Sequence, residues 1–361
     1  MTTDTIGGVW TYALELSRGL AQHSLEVVLA TMGRPLTQAQ RQEAGRVSNL
    51  QIEESKYKLE WMYQPWSDVN RAGDWLLKLE ERYRPDLAHL NSYSFGVLPW
   101  RAPTLVVGHS CVLSWWQAVK GAPAPPEWTR YRQEVCRGLK LAGKVVAPST
   151  AMLRALEQHY GPIGSGAVVP NGCDPAAFKP RRKEPFILAV GRLWDEAKNL
   201  TALQSVAPFL RWPVYVAGDN RHPDGGAISV DNVRFLGTLP STELASWYGR
   251  GAIYALPARY EPFGLSALEA ALSGCALVLG DIPSLRETWD GAALFVPPDD
   301  TGALRVALQV LASDRRNRTV LAACARRRAL EYTPAGMTEG YLKVYAEILM
   351  AHQEPTLVRA G

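Results

Sequence analysis

Short runs rich in valine, isoleucine and leucine alternate along this 361-residue chain with segments of helical periodicity. That alternation constrains the fold more than any other feature. Continuous apolar runs belong to strands buried on both faces of a parallel sheet, and the intervening helices make the crossovers. In the first half, strands are expected at 27–31, 87–90, 104–107, 144–147 and 167–169, with 50–53 a weaker candidate. A helix over 9–20 gathers Val9, Tyr12, Ala13, Leu16 and Leu20 on one face. Ser149 stands where it would cap a helix over 150–159. The pattern restarts at 186–190 and continues at 214–217, 233–236, 252–256, 276–279 and 294–296. The clearest helices of that half are 195–208, 241–248, 264–273 and 301–312, and 336–352 forms a last amphipathic helix.

A polar stretch carrying Pro175, Pro180 and Pro185 separates the two runs and reads as a linker. The length also suits two domains better than one core. The expected organisation is α/β: a doubly wound domain over 1–174, a linker over 175–185, a second doubly wound domain over 186–335, and a helix and tail over 336–361. The opening is unusual. Such a domain normally begins with a buried strand leading into its first glycine turn, yet Gly7-Gly8 follows only six residues. Either the first strand is reduced to those residues or the chain starts late. The late start is favoured, since a parallel sheet without a central strand leaves hydrogen-bonding groups unpaired.

Composition narrows the function classes. A hydrophobic fraction of 47% and a charged fraction of 20% are those of a soluble globular protein. The net charge of +4 does not argue for nucleic acid, which needs a concentrated basic face. Residues 101–150 lean basic (Arg101, Lys120, Arg130, Arg132, Arg137, Lys140 and Lys144 against Glu127 and Glu134). A solvated face fits this, and so does a site for an anionic acceptor or peripheral contact with a lipid surface. Five scattered cysteines without a C-x-x-C pair argue against a disulfide framework and a structural zinc site, and for a reducing cytoplasm. No apolar run approaches the roughly 18 residues that cross a bilayer. Twelve tryptophans are many for this length, and several, including Trp115 and Trp116, fall between Trp61 and Trp128. Core packing explains most; stacking on sugar faces is the other use of such rings.

Three segments carry chemistry. Gly7-Gly8 precedes the first helix, where a backbone can approach a phosphate closely and the helix N-terminus favours negative charge. Strand 186–190 ends in Gly191-Arg192, with Lys198 six residues after the arginine, at the strand end where doubly wound sheets bind ligands. The arginine as a fork and the lysine as a point charge suit a diphosphate, although two surface cations beside a helix start would read the same. Strand 252–256 then leads into Glu261-Pro262-Phe263-Gly264-Leu265, with Glu269 eight residues after Glu261. This places Glu261 in the loop and Gly264 at the helix start, leaving the N–H groups of 263–266 for phosphate or sugar oxygens. Glu269 falls more than a turn into the helix, where a carboxylate can hold a pair of hydroxyls. No G-x-G-x-x-G and no G-x-x-x-x-G-K-[ST] occurs.

The stretch from Glu261 to Glu269 resembles the E-x7-E motif of the retaining GT-B-fold glycosyltransferases, most closely their large family 4 (glycosyl transferases group 1). Gly7-Gly8, Val168-Val169-Pro170-Asn171-Gly172, Gly191-Arg192 with Lys198, Val216-Ala217-Gly218 and Phe235-Leu236-Gly237 extend the resemblance along nearly the whole chain. It implies two Rossmann-like domains facing a central cleft, with the C-terminal helix packing back on the first. It also implies retaining, metal-independent transfer from a nucleotide-diphosphate sugar to a hydroxyl acceptor (a glycan, a lipid or a small molecule), with no cofactor and no nucleic acid. Arg192 and Lys198 would bind the donor's phosphates together with the glycine loop, Glu261 would lie beside the transferred sugar, and Glu269 would hold the ribose. Backbone from Phe235 through Leu236 would face the base, and Phe263, Gly264 and Leu265 would border the phosphates. His109, in Gly108-His109-Ser110, matches a histidine near the donor's reacting carbon. No acidic residue adjoins it in sequence, so general-base work is not assigned to it. Trp115 and Trp116 are candidates for the acceptor side. A nucleotide-sugar 2-epimerase shares this architecture, and a non-catalytic transferase-like subunit is the reading from another class.

Overall fold

The computed structural model describes residues 1–353; the expected tail at 354–361 lies outside them. Strands and helices follow in the order β1 (Thr2–Asp4), α1 (Gly8–Ala21), β2 (Val27–Met32), α2 (Gln38–Ala44), β3 (Leu50–Glu54), α3 (Trp66–Tyr83), β4 (Ala88–Leu90), β5 (Thr104–Val107), α4 (Val112–Lys120), α5 (Thr129–Leu141), β6 (Lys144–Ala147), α6 (Thr150–Tyr160) and β7 (Gly166–Val168). The second half continues with β8 (Glu184–Val190), α7 (Leu200–Val206), β9 (Val214–Ala217), β10 (Arg234–Phe235), α8 (Ser241–Arg250), β11 (Gly251–Leu256), α9 (Leu265–Leu272), β12 (Ala276–Gly280), α10 (Pro283–Trp289), β13 (Leu294–Val296), α11 (Thr301–Ser313), α12 (Arg315–Ala329) and α13 (Pro334–Gln353). The chain forms two compact units: Met1–Trp116 with Pro123–Gly172 and the helix from Pro334, and Cys173–Thr333 with Gln117–Ala122. None of the described helices is long and apolar enough to cross a membrane.

In the first unit all strands pair in parallel, in the orders β1-β2-β3 and β4-β5-β6-β7. The opening strand is formed by Thr2–Asp4, in register with Ala30–Met32 of β2. It is joined to β4 by side chains rather than by a ladder: the Asn91 N–H donates to Thr2 Oγ1 at 2.8 Å and Asn91 Nδ2 to the Thr2 carbonyl at 2.7 Å. Helix α13 returns to cover α1, its Met337, Tyr341, Val344 and Ile348 entering one core with Tyr12, Leu16, Leu105 and Val146. Gly19 permits that approach, because a Cβ there would lie 1.9 Å from Thr338 Oγ1. Ser149 caps α6, its hydroxyl accepting from Met152 N at 3.1 Å.

The second unit is one six-stranded parallel sheet in the order β10-β9-β8-β11-β12-β13. Side chains alternate across it. Phe186, Leu188, Tyr254, Leu256, Leu277 and Leu279 pack with α9 and Trp289 on one face. Ile187, Ala189, Ile253, Ala255, Ala276 and Val278 pack with α7 and α11 on the other. Apolar residues at every position, rather than every second one, are what two covered faces require. The helix expected over 195–208 is broken: Glu196–Lys198 is a short 3-10 turn, and Asn199 at φ 57° starts α7 afresh.

Candidate functional site

The strand order of the second unit reverses between β8 and β11, the position at which loops from neighbouring strands diverge and leave a crevice. The loop after β8 carries Arg192 and Lys198, and the loop after β11 carries Glu261 and Gly264. The structure brings them together. Lys198 Nζ donates to Glu261 Oε2 at 2.5 Å, with the two side chains 15% and 13% exposed. The lysine stem runs along Gly191, where a Cβ would sit 3.5 Å from Lys198 Cγ. The loops are also tied by their backbones. Arg259 N donates to the Ala197 carbonyl at 2.9 Å, and Asn199 Nδ2 donates to the carbonyls of Pro257 and Pro298 at 2.9 and 2.7 Å.

Arg192 is held from both sides. Its Nη2 donates to Asp195 Oδ2 at 3.0 Å, and its guanidinium lies 5.3 Å from the centre of the Trp194 ring. Asp195 is fixed in turn by the Ala197 N–H at 3.0 Å. The Arg192 side chain keeps a third of its surface open, and its planar head carries further N–H groups in a fork. The arrangement is two preset cations, each held by a carboxylate: Arg192 on Asp195 and Lys198 on Glu261.

The helix start differs from the expectation that all four amides from 263 to 266 face outward. Gly264 N and Phe263 N donate to Glu261 Oε1 at 3.0 and 3.4 Å, so the carboxylate folds back on its own turn. A side-chain oxygen three residues ahead competes well for such orphan donors. Gly264 stands at φ 93°, a left-handed conformation that glycine adopts without strain. Ser284 Oγ donates to the Glu261 carbonyl and anchors the loop from α10. Leu265 and Ser266 supply the remaining amides of the first turn of α9. Glu269 is half-buried on α9. Its charge, after burial itself, helps push the Tyr248 hydroxyl well above its ordinary range, and both Glu269 and Glu261 act the same way on Tyr254. The Tyr254 hydroxyl bonds Ser266 Oγ at 2.7 Å.

Phe235 and Leu236 adjoin β9, where Leu236 N donates to the Val216 carbonyl at 2.9 Å. Phe235 is 43% exposed, and the Gly237 carbonyl accepts from Gly218 N at 2.8 Å. Gly218 is required by close approach: a Cβ there would lie 1.8 Å from the Gly191 carbonyl.

In the first unit Gly7, at φ 103°, caps α1, and Gly8 is the first helical residue. His109 follows β5, with its ring 4.5 Å from that of Tyr12, edge to face. Its Nε2 lies 2.7 Å from Asn91 Oδ1, and burial pushes its pKa down to about 3. It is a neutral imidazole whose partner is an amide, which fits hydrogen bonding rather than base work. His89 is 3% exposed between the hydroxyls of Tyr12 (3.2 Å) and Tyr345 (2.7 Å) and belongs to the core. Trp115 and Trp116 lie side by side on α4, rings 5.7 Å apart and near perpendicular.

Four residues of these sites carry no mark in the sequence reading. Asp195 and Asn199 flank Lys198, and the Asp-x-x-x-Asn spacing around the lysine was the available signal. Ser284 and Asn91 reach their partners only through strand order, which no local pattern reports.

Two units built on parallel sheets, with loops of this kind at the strands' carboxyl ends, are the architecture of a GT-B protein. The structure superposes on "Sucrose-phosphate synthase (tll1590)" from Thermosynechococcus elongatus with a TM-score of 0.80, over 97% of this chain and 99% of that one, at 19% identity. "Anabaena Alr3699/HepE in complex with UDP and glucose" gives 0.73 over 96% and 99%, at 14% identity. Residues 6–177 match the model for Glycosyltransferase Family 4 and residues 184–314 that for Glycosyl transferases group 1, and the chain belongs to this family of GT-B glycosyltransferases. A "D-inositol 3-phosphate glycosyltransferase" of Kineococcus radiotolerans is 30% identical over 62% of this chain, a match that spans 61% of that relative's length.

Proposed function

We propose that the protein transfers a sugar from a nucleotide-diphosphate sugar to a hydroxyl acceptor with retention of anomeric configuration. The observation that carries this reading is the meeting of Lys198 and Glu261 at the reversal of strand order in the second unit, with Arg192 held on Asp195 in the same loop as the lysine. A diphosphate needs concentrated positive charge as its bond to the sugar breaks, and a preorganised cation pair with a helix N-terminus supplies it. In this reading those groups, rather than a bound metal ion, take the charge. The acceptor oxygen bonds to the sugar's anomeric carbon on the face from which the diphosphate leaves. The electrons of the broken bond go to the leaving oxygen, and a phosphate oxygen takes the acceptor's proton. Glu261 positions the sugar and stabilises positive charge on its ring, while Glu269 holds the ribose diol and backbone near Phe235 and Leu236 meets the base. In the first unit the Gly7-Gly8 turn at the start of α1 suits a phosphate, and His109 serves as a neutral hydrogen-bonding group.

The relative solved with UDP and glucose supports a nucleotide-sugar donor, and the relative named for inositol phosphate supports a hydroxyl acceptor. The acceptor class stays at glycan, lipid or small molecule, with Trp115 and Trp116 as its candidate contacts and the cytoplasm as the proposed site of action. The test is incubation with UDP-, GDP- and ADP-sugars and an acceptor panel, following the product's anomeric configuration by NMR, with and without a chelator. Retention at an unchanged rate in chelator is the expected result. An inverted product, or a 2-epimer formed without acceptor, would overturn the reading.

A further inference from the structure

The bonds around Asn91 fix a proton elsewhere. Asn91 follows β4, and its amide faces two partners that differ in kind. On one side is the Thr2 carbonyl, 2.7 Å from Nδ2, which can only accept. The amide must therefore turn its NH2 toward β1, and that orientation directs Oδ1 at His109 Nε2, 2.7 Å away. An amide oxygen can only accept as well, so the proton of the imidazole must sit on Nε2. A neutral ring protonated there carries its lone pair on Nδ1. Burial keeps the ring neutral, and Tyr12 packs against it edge to face at 4.5 Å. His89 also reaches the Asn91 side chain, but it has no such assignment, since its nitrogens face tyrosine hydroxyls that can donate or accept. The Thr2–Asn91–His109 chain is thus a directional relay that ends on a side chain at the carboxyl end of β5.

We propose that Asn91 is a positioning residue which locks His109 as the Nε2-protonated tautomer and so reserves Nδ1 as an acceptor for a substrate hydroxyl. This rests on the reading of the chain as a sugar transferase, where a hydroxyl-bearing substrate is the group to be received. A wrong tautomer would present a donor where the hydroxyl needs an acceptor, and a free ring would populate both.

Long-range 1H–15N correlation spectra of the histidine-labelled full chain test the first half directly. At neutral pH the wild type should show His109 protonated on Nε2; an Nδ1-protonated ring would overturn the proposal. Asn91→Leu removes the acceptor and should lower kcat at least ten-fold with a smaller change in KM, while His109 loses its single tautomer. Unchanged tautomer and kcat in that variant would also overturn it. Because Asn91 joins β1 to β4, the leucine variant is paired with Asn91→Asp, which keeps an acceptor toward His109 and adds a negative charge. There His109 should protonate at higher pH than in the wild type, with a new acid limb in the rate profile. The titratable groups around the ring are Tyr12 from α1 and His89 from β4, with Tyr341 and Tyr345 of α13 behind them. A wild type that turns over no nucleotide sugar would remove the transferase reading, and the spectra would still decide what Asn91 does to the ring.

Discussion

Replacing Lys198 by methionine separates what the lysine does for the fold from what it does for a ligand. The side chains of Lys198 and Glu261 are 15% and 13% exposed and meet at 2.5 Å. Removing one partner of a fully buried pair costs about 3–5 kcal/mol, because the other charge is left unpaired. Water still reaches this pair, and Glu261 keeps the Gly264 N–H, so about 1–3 kcal/mol is the better figure. For a unit of this size that lowers Tm by about 2–4 °C per kcal/mol. The loss in turnover should be larger in kind, about 100–1000-fold, as for removal of one preorganised donor from a developing anion. The double variant with Glu261→Gln distinguishes the two effects. Stability should largely return, since no unpaired charge remains, giving a coupling energy above about 1 kcal/mol; turnover should not return. The assay is thermal and denaturant unfolding of the four proteins beside their transfer rates. Additive stability losses within about 0.5 kcal/mol, or full activity in the single variant, would refute the reasoning.

Other outcomes follow from single contacts. Gly218→Ala should cost about 3 kcal/mol or more, combining φ 137° with a Cβ placed 1.8 Å from the Gly191 carbonyl; a variant within 0.5 kcal/mol, roughly the scatter of surface substitutions, would mean that the two loops do not approach. Glu60 is buried and accepts from Tyr93 N at 3.0 Å and Ser94 N at 2.8 Å, so Glu60→Ala should lose about 2–4 kcal/mol in urea unfolding by orphaning two amides, and no loss would remove the carboxylate from that role. His89 is held neutral, its folded pKa depressed by burial first. Its contribution is present above an unfolded value near 6.5 and is lost as pH falls below it, at about 1.4 kcal/mol per pH unit. The stability advantage of wild type over His89→Gln should therefore shrink by about 2 kcal/mol between pH 6.5 and 5, and a constant difference would contradict a neutral buried ring.

The strands were legible because apolar residues at successive positions, such as Phe186 to Val190, can only be buried on two faces at once. Edges agree to a residue or two for most of them, 104–107, 144–147 and 214–217 among them. The helix at 195–208 was misjudged because its periodicity continues through Asn199, and only the tertiary bonds from Asn199 to Pro257 and Pro298 reward the left-handed turn there. The Glu261 carboxylate was placed in the right loop, yet its return onto Gly264 depends on a glycine conformation that spacing does not specify. Asn91 gave no signal at all: its partners lie 89 residues before it and 18 after it, and strand order alone brings them together.

The central claim is that the reversal of strand order in the second unit receives a nucleoside diphosphate on Arg192 and Lys198. Calorimetric titration with UDP, GDP and ADP addresses it most directly. At least one should bind the wild type with a dissociation constant that weakens ten-fold or more in each of Arg192→Ala and Lys198→Ala, about 1.4 kcal/mol per contact, in variants that still unfold cooperatively above the titration temperature. Equal binding by the wild type and both variants would contradict it.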